Sequence, residues 1–341
     1  MIKERDYLWD NIKAFLITTV VVGHVLPALN LTSTVSISVT YFIFSFHMPA
    51  FVFVSGYFAK NYCKNGVVRG EKAAVLAGYY IVFQLLFFLL YQVIHPVSFT
   101  LFNPFRGLWY LLAMVIYYMM VPVFEKLPWY ITIPIFFVLG FLIGIEQYAN
   151  TFFTISRTFV FAPFFFMGYY TNGNLIEKLR SVKLHNLWGL LIILVSIGIM
   201  TFMNKSNYPY PVTSNVLWGK TNYQGMRLSF PGGMFLRAEA YILAILIIIG
   251  LIMLFPKRKT IFSYIGKNSL QIYVLHMPII ILMKSSTIFD FAKAESELHA
   301  VILIFVGIAL TLLLSINIFS YPFKWIQIGV NKLYSLNKSK T

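Results

Sequence analysis

A chain of 341 residues is long enough for two soluble domains, but 59% hydrophobic and 11% charged residues, at a mean hydropathy of +0.76, leave too little polar material for a water-facing surface. The formal charge of +16 comes from Lys and Arg dispersed among apolar runs, with no base-stacking module or dense basic face, so no nucleic-acid partner is expected. Those runs are about 18 to 22 residues long, the length of helix that crosses a hydrocarbon layer roughly 30 Å thick, and a multi-pass all-α protein partnered by a lipid bilayer is therefore expected.

The N-terminal MIKERDYLWD lacks a signal-peptide cleavage signature, so the first apolar run is expected to remain as a helix. With Pro, Gly and charge as punctuation, spans fall near 11–30, 35–59, 73–94, 105–123 and 129–146, then 155–171, 186–203, 234–255, 268–286 and 299–319. Ten crossings place both termini on one side. That side carries 19 of the 27 Lys and Arg, which makes it cytoplasmic by the positive-inside rule. No internal repeat is visible, so residues 1–341 read as one integral-membrane domain, core 5–323, with no separate soluble domain. The one cysteine, Cys63, excludes an intramolecular disulfide framework.

Three histidines fall at membrane depth. His24 lies fourteen residues beyond Asp10 in the first span, roughly 21 Å along a helix. His47 sits mid-way down the second span before Pro49, and His276 lies in the middle of the ninth before Pro278. Each imidazole alone can serve merely to bond a carbonyl freed by the neighbouring proline; three in one layer suit proton transfer in an internal polar site. Three neutral imidazoles are also conceivable zinc ligands, but there is no HExxH and nothing sets their spacing, so no metal is expected.

A second set of polar residues, Arg106, Glu146, Arg157, Arg237, Glu239 and Lys284, marks the outer ends of spans. Snorkelling accounts readily for Lys284, whereas Arg106 before GLWYLLAM and Arg157 at the head of RTFVFAPFFFMGYY can face a polar vestibule that binds a hydroxyl-rich substrate. The long outer loop, 204–233, carries Tyr208, Pro209, Tyr210, Pro211, Trp218, Tyr223 and Arg227, which suit either sugar stacking or the membrane interface. On the opposite face Lys60, Lys64, Arg69 and Lys72 crowd one short loop, as topology requires and as the phosphates of an anionic donor would also require.

The chain resembles the acyltransferase family 3 of membrane O-acyltransferases, particularly its fucose 4-O-acetylase-like branch. The resemblance rests on RDYLWDNIKAFLITTVVVGH at 5–24, FHMPAFVFVSGYF at 46–58, LWYLLAM at 108–114, RTFVFAPFFFMGYY at 157–170 and IGKNSLQIYVLHMP at 265–278, which follow the family's order. It implies a ten-helix bacterial cell-membrane enzyme that moves acetyl from cytoplasmic acetyl-CoA, its co-substrate, to a hydroxyl of an extracytoplasmic carbohydrate such as capsule or exopolysaccharide. The first-helix histidine of the family falls on His24 as base, and that of FHMP on His47. The family's basic Arg-x-x-Arg motif reads Arg69-Gly70-Glu71-Lys72, where lysine keeps the charge but loses the forked contact. On this reading Asp10 and His47 tune His24, Arg69, Lys72 and Lys64 hold the donor, and Trp109, Tyr110, Arg106, Arg157, Glu146 and His276 shape the acceptor side. Self-association or polysaccharide-assembly partners are compatible with it. The rival from another class is a proton-coupled carrier or flippase for a sugar or lipid-linked intermediate, which the lack of duplicated halves weakens; an Asn/His membrane O-acyltransferase would need a different motif.

Overall fold

A computed structural model describes residues 6–29, 33–64, 67–68, 70–94, 96–149, 152–206, 214–286 and 296–338. Among the described residues the regular structure is helical apart from a two-residue antiparallel pairing of Cys63–Lys64 with Val67–Val68. In order, the α-helices are α1 (Leu8–Leu29), α2 (Thr34–Ala59), α3 (Gly70–Ile94), α4 (Trp109–Phe124), α5 (Trp129–Leu142), α6 (Ile155–Tyr170), α7 (Gly173–Arg180), α8 (His185–Ser206), α9 (Ser214–Trp218), α10 (Phe230–Leu254), α11 (Ser263–Lys267), α12 (Ser269–Ser285), α13 (Glu297–Leu314) and α14 (Tyr321–Lys338). Among the described residues eight helical segments are long and apolar enough to cross a membrane: α1, α2, α3, α8, α10, α13, and α4 and α6 with their 3-10 lead-ins.

Each of the ten expected spans coincides with a helix, but α5 and α12, at 14 and 17 residues, are shorter than the other eight segments once the 3-10 lead-ins of α4 and α6 are counted. The span expected to run to residue 146 stops at Leu142 because Gly144 receives the Tyr223 ring: a Cβ there would lie 2.2 Å from that ring, and the Gly144 carbonyl accepts the Tyr223 N–H at 2.7 Å. The last expected span ends at Leu314, not 319, and its freed carbonyls are satisfied from α12: Gln271 Nε2 donates to Leu314 and Ile316, and Asn268 Nδ2 to Ser315.

Four helices lie outside the expected spans: α7, α14 and the five-residue α9 and α11. α7 is short and amphipathic; from its last residue Arg180 Nη1 donates to the Ile252 and Phe255 carbonyls at 2.6 and 2.7 Å, closing the end of α10. α14 packs back on α3, with Phe323 beside Tyr79 and Phe83 and Val330 against Gly78.

The core is built around α1, α2 and α6, while α3, α8 and α13 leave most of their surface uncovered, as lipid-facing helices do. α2 and α6 meet backbone to backbone. A Cβ on Gly56 would fall 1.9 Å from the Phe165 carbonyl oxygen, and one on Gly168 would fall 2.0 Å from that of Phe53. Buried rings of α6 fill the adjoining space, Phe165 stacking on Tyr117 at 4.6 Å and Phe166 on Phe136 at 4.3 Å. At the other end of α1, Asn11 is buried and ties the helix to the segment after α10: Nδ2 donates to the Pro256 and Arg258 carbonyls, and Oδ1 accepts from Thr260 and Ser263 hydroxyls.

Gly56→Val or Gly168→Val should therefore cost at least about 1 to 3 kcal/mol by overpacking. In detergent, either variant is expected to lose its monodisperse elution peak at a lower temperature than the wild type. Gly173→Ala, where a Cβ meets nothing within 4 Å, should elute and melt as the wild type does.

Candidate functional site

The histidines of α1, α2 and α12 come together in one cluster. The His24 ring centre lies 5.3 Å from that of His276, nearly parallel, and 6.4 Å from that of His47, edge to face. His47 and His276 are buried, whereas His24 is only half-buried. His47 Nδ1 bonds the Ile43 carbonyl at 2.7 Å and His276 Nδ1 the Ile272 carbonyl at 3.1 Å. A carbonyl only accepts, so in each ring Nδ1 carries the proton and a neutral ring leaves Nε2 bare. Neither bond goes to a carbonyl freed by proline, which would be that of Ser45 for Pro49 and Val274 for Pro278. The prolines thus do not account for the histidines.

His276 Nε2 is buried without a hydrogen-bond partner, and among the described residues no protein group bonds the His24 ring. The member of the cluster with both free ring nitrogens and remaining access is His24. Among the described residues no group of three His, Cys, Asp or Glu side chains is arranged to hold a metal ion.

Aromatic residues wall the cluster. Tyr273 lies between His276 and Tyr110, at ring distances of 5.9 and 5.1 Å, and its hydroxyl donates to the Gly107 carbonyl. Ser55 Oγ donates to the Phe51 carbonyl, so the Tyr110 hydroxyl, 2.5 Å from Ser55 Oγ, acts as donor in their bond. On the α2 side Phe44 touches His24 and His47 at 5.8 and 5.1 Å, and Trp218, the last residue of α9, lies edge-on to Phe44 at 6.1 Å.

Arg157 joins this wall. Its Nε donates to the Trp218 carbonyl at 3.1 Å and its guanidinium lies 4.9 Å from the centre of the Trp109 ring, which stacks on Phe161. Trp109, Tyr110, Arg157 and His276 are thus brought to the histidine cluster. Arg106 stands at its edge, exposed, with φ +42°, its Nε on the Tyr91 hydroxyl at 2.9 Å.

Other expected residues lie elsewhere. Asp10 is buried at the far end of α1, paired with Lys13 at 2.9 Å, and its backbone oxygen abuts Gly266. It does not reach His24. Glu146 is exposed and accepts the Tyr148 N–H, apart from the cluster. Arg237 is fully buried in α10, donating to the Gly140 carbonyl under the Tyr223 ring, and Lys284 is exposed.

Around the loop after α2, where the donor is expected, Lys72 lies 5.2 Å from the Tyr62 ring, and Lys60 bonds the Thr171 carbonyl beside the Tyr57 ring; burial holds Lys60 below the usual lysine range. Arg69, the side chains of Cys63 and Lys64, and Tyr208, Pro209, Tyr210 and Pro211 lie outside the described residues.

Three contributors were not expected: Ser55, Tyr273 and Lys220, the last 5.2 Å from the Trp218 ring. Tyr273 was detectable, because it precedes His276 by three and shares its helical face. Trp218 was legible only as an aromatic of the outer loop.

These features define the class: a multi-pass membrane protein with a polar, aromatic-walled site inside the bundle. An acyltransferase domain model matches residues 6–320, and the chain belongs to acyltransferase family 3. It is a membrane acyltransferase. Neither a curated protein nor a solved structure matches it.

Diethyl pyrocarbonate at neutral pH should carbethoxylate His24 before His47 and His276, because only His24 combines access with unbonded ring nitrogens. Peptide mass spectrometry of a time course reads the order; equal labelling of the three would contradict the placement.

Proposed function

We propose that this chain transfers acetyl from cytoplasmic acetyl-CoA to a hydroxyl of an extracytoplasmic or lipid-linked carbohydrate in a bacterial cell membrane, with His24 as general base. The observation that carries the reading is the accessible His24 ring at the centre of a buried histidine and tyrosine cluster in a chain of this family. Ten crossings with both termini cytoplasmic, as the charge distribution favours, would put Lys72 at the donor side and Arg157 at the acceptor side. Arg69 and Lys64 complete the donor set, and the fucose 4-O-acetylase-like branch is the one its motifs resemble most.

In this mechanism a neutral His24 takes the proton of the acceptor hydroxyl as its oxygen attacks the thioester carbonyl. The new C–O bond forms, the C–S bond breaks, and the thiolate leaves to be protonated. Among the described residues His47 and His276 have no ion-pair partner; their role is to hold a polar surround for His24 and orient its ring. Tyr110, donating within the Ser55 pair, and Tyr273 fix the wall against which the acyl group sits. Asp10 acts at a distance, holding the foot of α1 through Lys13.

His24→Ala should lower transfer about 10²- to 10⁴-fold, the usual worth of a general base, with normal membrane insertion. Purified protein given isotope-labelled acetyl-CoA and acceptor glycan measures it. Label in the glycan supports the proposal; glycan that crosses the membrane unlabelled returns the carrier reading. Lys72→Ala is expected to raise the KM for acetyl-CoA while leaving that for the acceptor unchanged, as initial-rate kinetics with each substrate varied would register.

A further inference from the structure

Three cations gather on the Trp218 side of the histidine cluster. Arg157 is half-buried, held by the Trp218 carbonyl and the Trp109 face. Lys220 is half-buried against the Trp218 ring, and Arg106 leans on Tyr91. They are close enough to act on one another: burial first, and then the charges of Arg157 and Arg106, hold Lys220 below the usual lysine range.

Among the described residues no carboxylate pairs with any of the three; the pairs present are Lys13 with Asp10 and Lys257 with Glu177. The nearest acid in sequence to this face, Glu146, is occupied by the Tyr148 N–H. Snorkelling toward lipid headgroups does not describe the group, because the Arg157 guanidinium turns inward over a tryptophan that is itself buried. Arg157 and Lys220 are partly withdrawn from water and left unpaired beside the exposed Arg106, an arrangement that is costly until a ligand brings the opposite charge.

The backbone supports the same placement. Arg106 itself has φ +42°, Phe153 and Thr154 just before Arg157's helix have φ +49° and +55°, and Gly219, between Trp218 and Lys220, has φ +64°. Ser156 Oγ anchors the Gly219 carbonyl at 2.8 Å. Left-handed turns at non-glycine residues cost free energy that the surrounding contacts must offset, and here they fall at Arg106 and just before the helix that carries Arg157.

We propose that the acceptor is anionic: a glycan bearing a carboxylate or phosphate that Arg157, Arg106 and Lys220 bind, so that a nearby neutral hydroxyl meets His24. The inference rests on the acetyl-transfer reading and names the chemical class of its substrate. The Trp faces orient the cations without neutralising them, leaving their charge available to the ligand.

The test begins with cells carrying the wild-type gene or His24→Ala, from which surface glycans are purified and their repeat units solved by NMR and mass spectrometry. The glycan that loses O-acetyl is expected to contain a uronic acid or a phosphate, and the spectra distinguish the two. That de-acetylated glycan then serves as acceptor for purified wild type, Arg106→Gln and Lys220→Gln. KM for the glycan should rise about tenfold or more in each variant, with kcat little changed, and wild-type KM should climb with added salt. Arg157→Lys, which retains charge and loses the fork, should keep part of the affinity. Loss of O-acetyl from a wholly neutral glycan, or unchanged KM in both glutamine variants, overturns the inference and leaves the transfer reading intact. No O-acetyl loss from any glycan overturns both.

Discussion

The bundle depends on the close crossing of α2 and α6, where Gly56 and Gly168 let two backbones touch. Lipid tails are as apolar as the side chains they would replace, so association inside a membrane relies on fit and on polar contacts more than on the hydrophobic effect. Two glycines supply that fit at one end of the pair. Towards the other end the space between α2 and α6 admits α9: Val216 and Leu217 line a small cavity with Phe44, Ser45 and Pro49 of α2 and Val160, Phe161 and Phe164 of α6. Trp218 thereby reaches Phe44 and the histidines. A tight contact at one level accompanies an opening at another, and α9, seated there, carries Trp218 to the edge of the histidine cluster.

Polar groups inside the bundle are placed by the same logic. Every one that is buried must find a partner or stay exposed to a ligand. Asn11, Gln271 and Arg180 solve the problem structurally, each capping carbonyls that helix ends leave free. His47 and His276 solve half of it, bonding a carbonyl through Nδ1 and presenting Nε2 inward. His24 does not solve it within the protein, and neither do the terminal nitrogens of Arg157. Unanswered polarity also remains outside the cluster, at Trp9 Nε1 and at Nε and Nη2 of Arg237, so what sets the site apart is the gathering of His24, His47 and His276 in one layer.

Arg180, Arg237 and Asp10 are charges that look equivalent to Lys72, Arg157 and His24 in sequence. Arg180 caps α10, Arg237 is pinned by Gly140 and Tyr223, and Asp10 pairs with Lys13. Sequence position gives depth along a helix but not the rotational face it presents to a neighbour. Glu146 was misplaced for a related reason, since it falls beyond the end of α5, and that end is set by a tyrosine 77 residues later packing on Gly144.

Composition and hydropathy alone determined the membrane class, the approximate limits of ten apolar helices and the shared depth of His24, His47 and His276, because these follow from run length and helical rise. Motifs in chain order were enough to indicate the acyltransferase family. The turn of α7 under α10, the return of α14 along α3, and the entry of α9 between α2 and α6 were invisible, because each depends on contacts between residues far apart in the chain. The placing of Ser55, Tyr110, Tyr273, Arg157, Trp218 and Lys220 around the histidine cluster was likewise decided by tertiary structure, since a helix carries a residue to a depth and only packing against its neighbours decides which way that residue faces.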